Sequence, residues 1–401
     1  MQSPDLTAPD VPFLDFSDPT FSIRSAEVHA ARAQSWYART PFGMAVLRHE
    51  DMQRLLRHPK LRQGSYLWPH HAGVTTGSFA RWWTSMLLSQ EGENHARLRR
   101  MANPAFSPKL IADMLPKFQA LANRLIDAFA DKGACDFIAE FSEPYATGVI
   151  CDLLGLEFEE WRALADIAGE MGLALGVTYK RDQQIVDAAT DRLTDYARRV
   201  IEKRRAVPSD DFIGMLVKSQ ASEDMTEQEL YDMVILSIFG GIDTTRNQIG
   251  LAMSMFIDHP DQWQLLGENP DLGRAAVEEV MRLRPTTTWV TRAATETFTY
   301  RDVEIPEGTT LHLVTESAGS DPEVFAPGFD ITAERKTHFG FGGGTHHCLG
   351  HFIARGDMTE ALKLLSRRLR NPRYNGKVEW LPDSGNTGAI RMPIAFDAAP
   401  G

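Results

Sequence analysis

Apolar residues recur at helical spacing through most of the chain. Residues 23–39 and 49–57 read as short amphipathic helices around a strand at 45–48. Longer helical patterns run through 108–130, 137–154, 158–175, 183–205 and 210–219, with Pro108 and Asp210 standing where helices should begin. Thr226, with Glu229 three residues on, predicts a capping box, and the helix it opens runs to Asp258, ahead of His259-Pro260. At roughly 33 residues it would reach about 50 Å, enough to cross the molecule. Gly240 and Gly241 interrupt its middle, although each glycine costs about 1 kcal/mol relative to alanine in a helix. Helices at 260–268 and 271–283 follow. The pattern then shortens to strands at Trp289–Ala294, Phe298–Tyr300, Val303–Ile305 and 310–315, an irregular stretch to Gly344, a helix over 349–370, and strands near 377–381 and 390–396. These elements predict a mainly α chain with a small β region, an α+β fold.

Residues 60–90 break the periodicity. That stretch mixes Gly64, Pro69, Gly73 and Gly77 with Trp68, Trp82 and Trp83, and a long aromatic loop inside a compact domain is often functional. It reads as a substrate-access loop, within a single domain over 1–401 that has an N-terminal extension at 1–20.

Composition narrows the function. A net charge of −12 argues against nonspecific binding to nucleic acid or an anionic membrane, both of which need a basic surface. One local basic patch, His-Ala-Arg-Leu-Arg-Arg at 95–100, runs against the average. The N-terminus has neither a basic start nor an apolar run, so no secretory signal is expected. The most apolar stretch, 233–242, falls well short of the roughly 20 residues that span a bilayer, and no membrane anchor is expected. Cys135, Cys151 and Cys348 are too few and too scattered for a disulfide framework. A cytoplasmic protein is the expectation.

The segment Phe341-Gly342-Gly343-Gly344-Thr345-His346-His347-Cys348-Leu349-Gly350 carries the most information. A thiolate that binds a metal needs a loop able to lie close to a ligand, with backbone N–H groups free to face the sulfur. Glycines permit both, and a helix starting at Leu349 would aim its dipole at the anion. Two other readings stand beside this one. Cys348 could be an inert core thiol, or His346, His347, Cys348 and His351 could hold zinc. Against zinc, three consecutive residues cannot easily reach three corners of one tetrahedron.

All ten residues match the cysteine-loop signature Phe-Gly-x-Gly-x-His-x-Cys-x-Gly, and in this the sequence resembles the cytochrome P-450 superfamily, most closely its soluble bacterial members. Three further motifs stand in that family's order, so the resemblance covers roughly residues 20–400. It implies the cytochrome P-450 fold, with haem b between the long central helix and the cysteine-loop helix, and Cys348 as the axial ligand of the iron. Phe341, Gly350 and Gly240 would lie against the haem. Glu279-x-x-Arg282 matches the family's Glu-x-x-Arg, and by resemblance it joins Arg335 in a buried cluster that braces the cysteine loop. His95-x-x-x-Arg99, together with Arg292 and His346, matches positions that hold haem propionates, for which a guanidinium suits a carboxylate.

The fourth motif, Gly240-Gly241-Ile242-Asp243-Thr244-Thr245, matches the family's Ala/Gly-Gly-x-Asp/Glu-Thr. The resemblance implies that the glycines leave room for dioxygen and substrate, while Asp243 and Thr244 relay protons. Arg246 departs from the pattern, standing where small or apolar residues are usual, and Asp357 stands where the family more often has Glu. By the same resemblance the substrate pocket takes Leu236 and Phe239 from the long helix, Thr288, Trp289 and Val290 from the strand, Trp83 and Leu87 from the aromatic loop, and Ala389 from the C-terminal turn. A hydrophobic or aromatic small molecule would fill it. With no flavin or iron–sulfur segment, electrons would come from a ferredoxin and its reductase, docking at Arg97 and Arg100. The function implied is a monooxygenase using O2. Desaturation or oxidative coupling is the alternative for the same residues, and a non-catalytic haem-binding sensor is disfavoured by Asp243-Thr244.

Overall fold

A computed structural model of the chain describes residues 11–222, 225–334, 336–383 and 385–398. Its axis is the central helix, Glu227–Asp258. Thr226 and Glu229 form the expected capping box, with the Glu229 carboxylate accepting from the Thr226 N–H at 2.8 Å. Buried side chains surround the helix almost completely, including Val234, Ile238, Ile242, Ile249 and Phe256. A helix apolar on every side belongs inside a protein. Helices Glu143–Leu154, Trp161–Gly172 and Tyr179–Ala206 pack along it. The helix that follows the cysteine loop, His351–Arg368, packs mainly on Pro108–Asp127 and Gly273–Leu283. Among the described residues no helix is long and apolar enough to cross a membrane.

The β structure sits to one side. A five-stranded sheet runs in the order Tyr37–Thr40, Gly43–Val46, Thr310–Val314, Trp289–Ala294, Leu61–Gln63. Only the Gly43–Val46 and Thr310–Val314 pair is parallel. A three-stranded sheet joins Ala134–Asp136, Pro393–Ala398 and Leu369–Tyr374. Two hairpins complete it, and one of them, Glu379–Trp380 with Ala389–Arg391, carries the C-terminal turn back to the central helix.

Several expected boundaries move. The helix expected over 23–39 stops at Gln34, and Tyr37–Thr40 is an edge strand. Its partner, expected at 45–48, is Gly43–Val46, where Gly43 at φ +135° comes so close to the Thr310 carbonyl that a side chain would collide with it. Asp211 rather than Asp210 caps the helix Phe212–Ala221, its carboxylate accepting from the Gly214 N–H. The 60–90 stretch is not a loop. It holds the strand Leu61–Gln63, the short helix Trp68–His71 and the helix Ser78–Ser85, pinned by indole N–H bonds from Trp68 to the Ala174 carbonyl (2.6 Å) and from Trp83 to the Ser65 carbonyl (2.7 Å).

Candidate active site

A cavity of about 350 Å³ lies between the central helix, the strand Trp289–Ala294 and the cysteine loop. Gly240, Gly241, Thr244 and Thr245 border it from the helix; Phe341, His346, Cys348 and Gly350 border it from the loop. The central helix can approach because two of its residues have no side chain. A Cβ on Gly240 would make only ordinary contact with Leu236 at 3.7 Å, whereas one on Gly241 would strike the Ile150 side chain at 2.3 Å.

The cysteine loop is set by its own turns. Gly342 and Gly344 adopt φ +68° and +72°, a region that non-glycine residues enter at a steric cost. The Cys348 N–H donates to the Phe341 carbonyl at 3.0 Å, closing the loop. The helix begins at His351, two residues later than expected. Burial pushes the Cys348 thiol up, while the Gly350 N–H and the guanidinium groups of Arg99 and Arg355 favour the thiolate.

His95, Arg99, Arg292 and His346 all border the same cavity. The His95 and His346 rings lie 4.1 Å apart. Burial, then the neighbouring His346 and Arg99, push His95 down to about 4, so it is neutral. Arg99 donates to the His347 carbonyl (2.8 Å), and Arg292 donates to the carbonyls of Leu56 (3.3 Å) and Gly343 (3.2 Å). Burial pushes Arg292 down to about 10. Both ring nitrogens of His346 are buried without a well-formed hydrogen bond, and Glu91 Oε1 stands 3.3 Å from Nε2.

Glu279 and Arg282 are both buried and paired through two contacts, 2.7 and 2.9 Å. Arg282 also donates to the carbonyls of Gly319 (2.6 Å) and Gly328 (2.9 Å), and Glu279 accepts from the Asp330 N–H (3.0 Å). The pair therefore ties the helix Gly273–Leu283 to the chain entering the cysteine loop. Arg335, expected as its third member, lies outside the described residues.

The acid and the hydroxyl of the fourth motif part company. Thr244 borders the cavity and donates to the Gly240 carbonyl at 2.6 Å. Asp243 is 1% exposed and does not border the cavity. Its Oδ1 accepts from Arg246 (2.9 Å) and Asn247 (3.4 Å), and its Oδ2 accepts from Asn386 (2.5 Å). Arg246 reaches on to Glu143 (3.2 Å). This gives the departure at Arg246 a physical reason: it is the counter-ion of a carboxylate that burial pushes toward the neutral form. Gly169 and Gly172 make room for the pair beneath the helix Trp161–Gly172, since a Cβ at Gly172 would lie 2.8 Å from Asp243 Oδ1.

The expected pocket residues divide. Leu87, Leu236, Trp289 and Val290 border the cavity, although the Trp289 ring stacks on Phe16 at 5.1 Å. Trp83 and Phe239 do not. They pack against Phe79, with centroid distances of 5.4 and 6.3 Å, and belong to an aromatic core cluster. Thr288 bonds the Gly385 carbonyl (2.7 Å), and Ala389 packs toward Gly250. Beside Phe106, Trp289 and Phe341 the cavity has aliphatic side chains and hydroxyls, including Thr245, Thr286 and Thr287, with Gln248 beside them. The run Thr286-Thr287-Thr288 was visible, but only its pairing with the C-terminal turn decides which members reach the cavity.

Against known proteins, the family model for cytochrome P-450 matches residues 174–390. The chain is 37% identical over 395 residues to luteothin monooxygenase of Streptomyces thioluteus, covering 97% of each. Among solved structures it is similar to the P-450 BioI in complex with a fatty-acid-ligated acyl carrier protein, with TM-score 0.85 and 26% identity over 92% of this chain and 97% of that one. It is similar also to CxnD, a cytochrome P-450 enzyme for C–S bond formation, with TM-score 0.86 and 27% identity over 96% and 97%.

Proposed function

The chain belongs to the cytochrome P-450 family of haem-thiolate, oxygen-incorporating oxidoreductases, and from that premise we propose that it inserts one atom of O2 into a hydrophobic or aromatic small molecule, with electrons from a separate ferredoxin and ferredoxin reductase. The observation that carries this reading is one cavity bordered at once by the Cys348 loop, by His95, Arg99, Arg292 and His346, and by Gly240 and Thr244.

The residues present fit haem b. Cys348 would hold its iron through the thiolate, and Phe341, Gly350 and Gly240, which border the same cavity, would help hold the group. The buried His346 Nδ1, which has no hydrogen-bond partner, together with His95, Arg99 and Arg292, suits the carboxylates of the group. When bound, the haem supplies the centre at which O2 is reduced, and thiolate donation favours O–O cleavage. The balance is substrate C–H, O2, two electrons and two protons giving C–OH and water.

The chain's own residues handle the protons and exclude water. The Thr244 hydroxyl gives its hydrogen to the Gly240 carbonyl, which leaves its oxygen lone pairs toward the cavity to hold a water. Asp243 is the acid that resupplies it. Leu87, Leu236 and Val290 exclude bulk solvent and offer apolar contact, while Thr245 and Thr287 offer hydroxyls to a polar group of the substrate.

The test is a spectral screen of small molecules on the haem-loaded protein, followed by turnover of each ligand under labelled O2. A product carrying one labelled oxygen supports the reading; electron consumption with no labelled product from any ligand counts against it. Similarity to a C–S bond-forming enzyme favours oxidative coupling as the second reading, and product analysis in the same screen separates the two.

A further inference from the structure

We propose that Asn386, on the C-terminal turn, is a positioning residue for Asp243 that ties the acid to the substrate-facing wall at Thr286 and Thr287. The inference rests on the oxygenase reading above and deepens it.

Asn386 is 7% exposed, and both ends of its amide are committed. Its Nδ2 donates to Asp243 Oδ2 at 2.5 Å, and its Oδ1 stands 2.9 Å from the Thr286 hydroxyl, whose single hydrogen is shared between it and the Thr387 carbonyl at 2.7 Å. With its NH2 end toward Asp243 and its oxygen toward Thr286, the amide bridges the acid and the cavity wall. The turn that carries Asn386 is fastened to the cavity wall. Thr387 N–H donates to the Thr286 carbonyl (2.9 Å), Thr288 N–H donates to the Gly385 carbonyl (2.9 Å), and residues 287 and 386 form a β-bridge. Two contacts leave the turn no slack: a Cβ at Gly385 would strike the Leu175 carbonyl at 2.1 Å, and one at Gly388 would strike Asn247 at 2.4 Å.

Thr286 and Thr287 border the cavity while Asp243 does not. Two hydrogen-bonded steps therefore link the cavity wall to the acid, from Thr286 to Asn386 and from Asn386 to Asp243. Arg246 and Asn247 hold Asp243 from its own helix; among the described residues Asn386 is the donor to it that is fastened to the pocket wall. A substrate that seats against the wall keeps the carboxylate aligned, and one that displaces the wall draws away a charge-assisted partner.

Misdelivered protons have a defined outlet: O2, two electrons and two protons leave as hydrogen peroxide in place of product. The haem-loaded enzyme is assayed with a ferredoxin pair and a product-forming ligand from the screen. Asn386→Ala should keep the reduced carbon-monoxide spectrum and the ligand-induced spectral shift, yet raise the peroxide share of electrons several-fold and enlarge the solvent isotope effect. Thr286→Val should do the same to a smaller extent. In an Asp243→Asn background, Asn386→Ala should add nothing. An equal Asn386→Ala effect in both backgrounds, or full coupling in the single variant, would overturn the positioning role. Absence of any oxygenated product from the unaltered enzyme would instead overturn the functional reading, and is told apart by the wild-type arm.

Discussion

Arg246 shows how much one side chain can decide. It sits between Asp243 and Glu143, its own side chain 12% exposed and that of Asp243 1% exposed. Removing one partner of such a pair leaves an uncompensated buried charge, typically at a cost of about 3–5 kcal/mol. Arg246→Met should therefore lower the thermal midpoint, and by less in acid. The sign follows from Asp243: a carboxyl raised in the folded state is stabilised when protonated, and that contribution fades as pH climbs through its folded pKa. Melting of variant and parent across mildly acidic to alkaline buffers checks the slope, and an identical loss at every pH would refute it.

Glu316 gives a second residue-level expectation. Burial pushes it up to about 7, with Asp383 adding to the rise and Arg24 opposing it. The folded carboxyl binds its proton more tightly than the unfolded one, so stability falls as pH rises from the ordinary carboxyl range through 7. Glu316→Gln removes that dependence. Relative to the parent it should gain up to about 3 kcal/mol between acid and pH 8, read as the difference between two denaturation curves at each pH.

At the scale of elements, the two glycines of the central helix make opposite predictions. Gly240→Ala meets nothing nearer than Leu236 at 3.7 Å, so helix propensity should raise stability by about 1 kcal/mol while the new methyl narrows the cavity and weakens bulky ligands. Gly241→Ala drives into Ile150 at 2.3 Å, and overpacking of this kind costs about 1–3 kcal/mol. Chemical denaturation of the two variants decides it; equal behaviour would mean that the helix can roll away from Ile150.

What was legible in the sequence divides along the same line. The central helix was readable to within a residue because a local signal, Thr226 with Glu229, marks its start and His259-Pro260 its end. Helix Gly273–Leu283 and strand Trp289–Ala294 were similarly plain. Tyr37–Thr40 was not, because its strand identity comes from pairing with Gly43–Val46, which itself docks on Thr310–Val314 far along the chain. Ser78–Ser85 hid behind Gly73 and Gly77. For the cavity, the sequence could place Cys348, Thr244 and the four basic residues together through their motifs. It could not say that Trp83 and Phe239 would face Phe79 instead, or that Asn386 would reach Asp243, because those depend on which side of an element meets a distant neighbour.

For the whole molecule, the question is how a chain of net charge −12 would receive electrons from the proposed ferredoxin, taken as an acidic protein. The field at long range is repulsive, so association must be governed by a local basic patch within a Debye length of about 8 Å at physiological salt. Arg97 and Arg100 were the expected patch, but they differ. Arg97 is paired with Glu229, which also caps the central helix, and its charge is largely cancelled. Arg100 is exposed and forms no ion pair among the described residues, as does Arg57, whose Cγ lies beside Gly344 of the cysteine loop. Charges at the rim of an interface act mostly on the association rate. Reduction by the proposed ferredoxin should therefore slow as salt rises, and Arg100→Glu should slow it roughly tenfold at low salt, a penalty of about 1.4 kcal/mol that fades in high salt. Arg97→Gln should have a much smaller effect, having little free charge to lose. Stopped-flow reduction at several ionic strengths measures all three. Equal slowing by the two substitutions, or a rate indifferent to salt, would mean that the donor approaches over some other face.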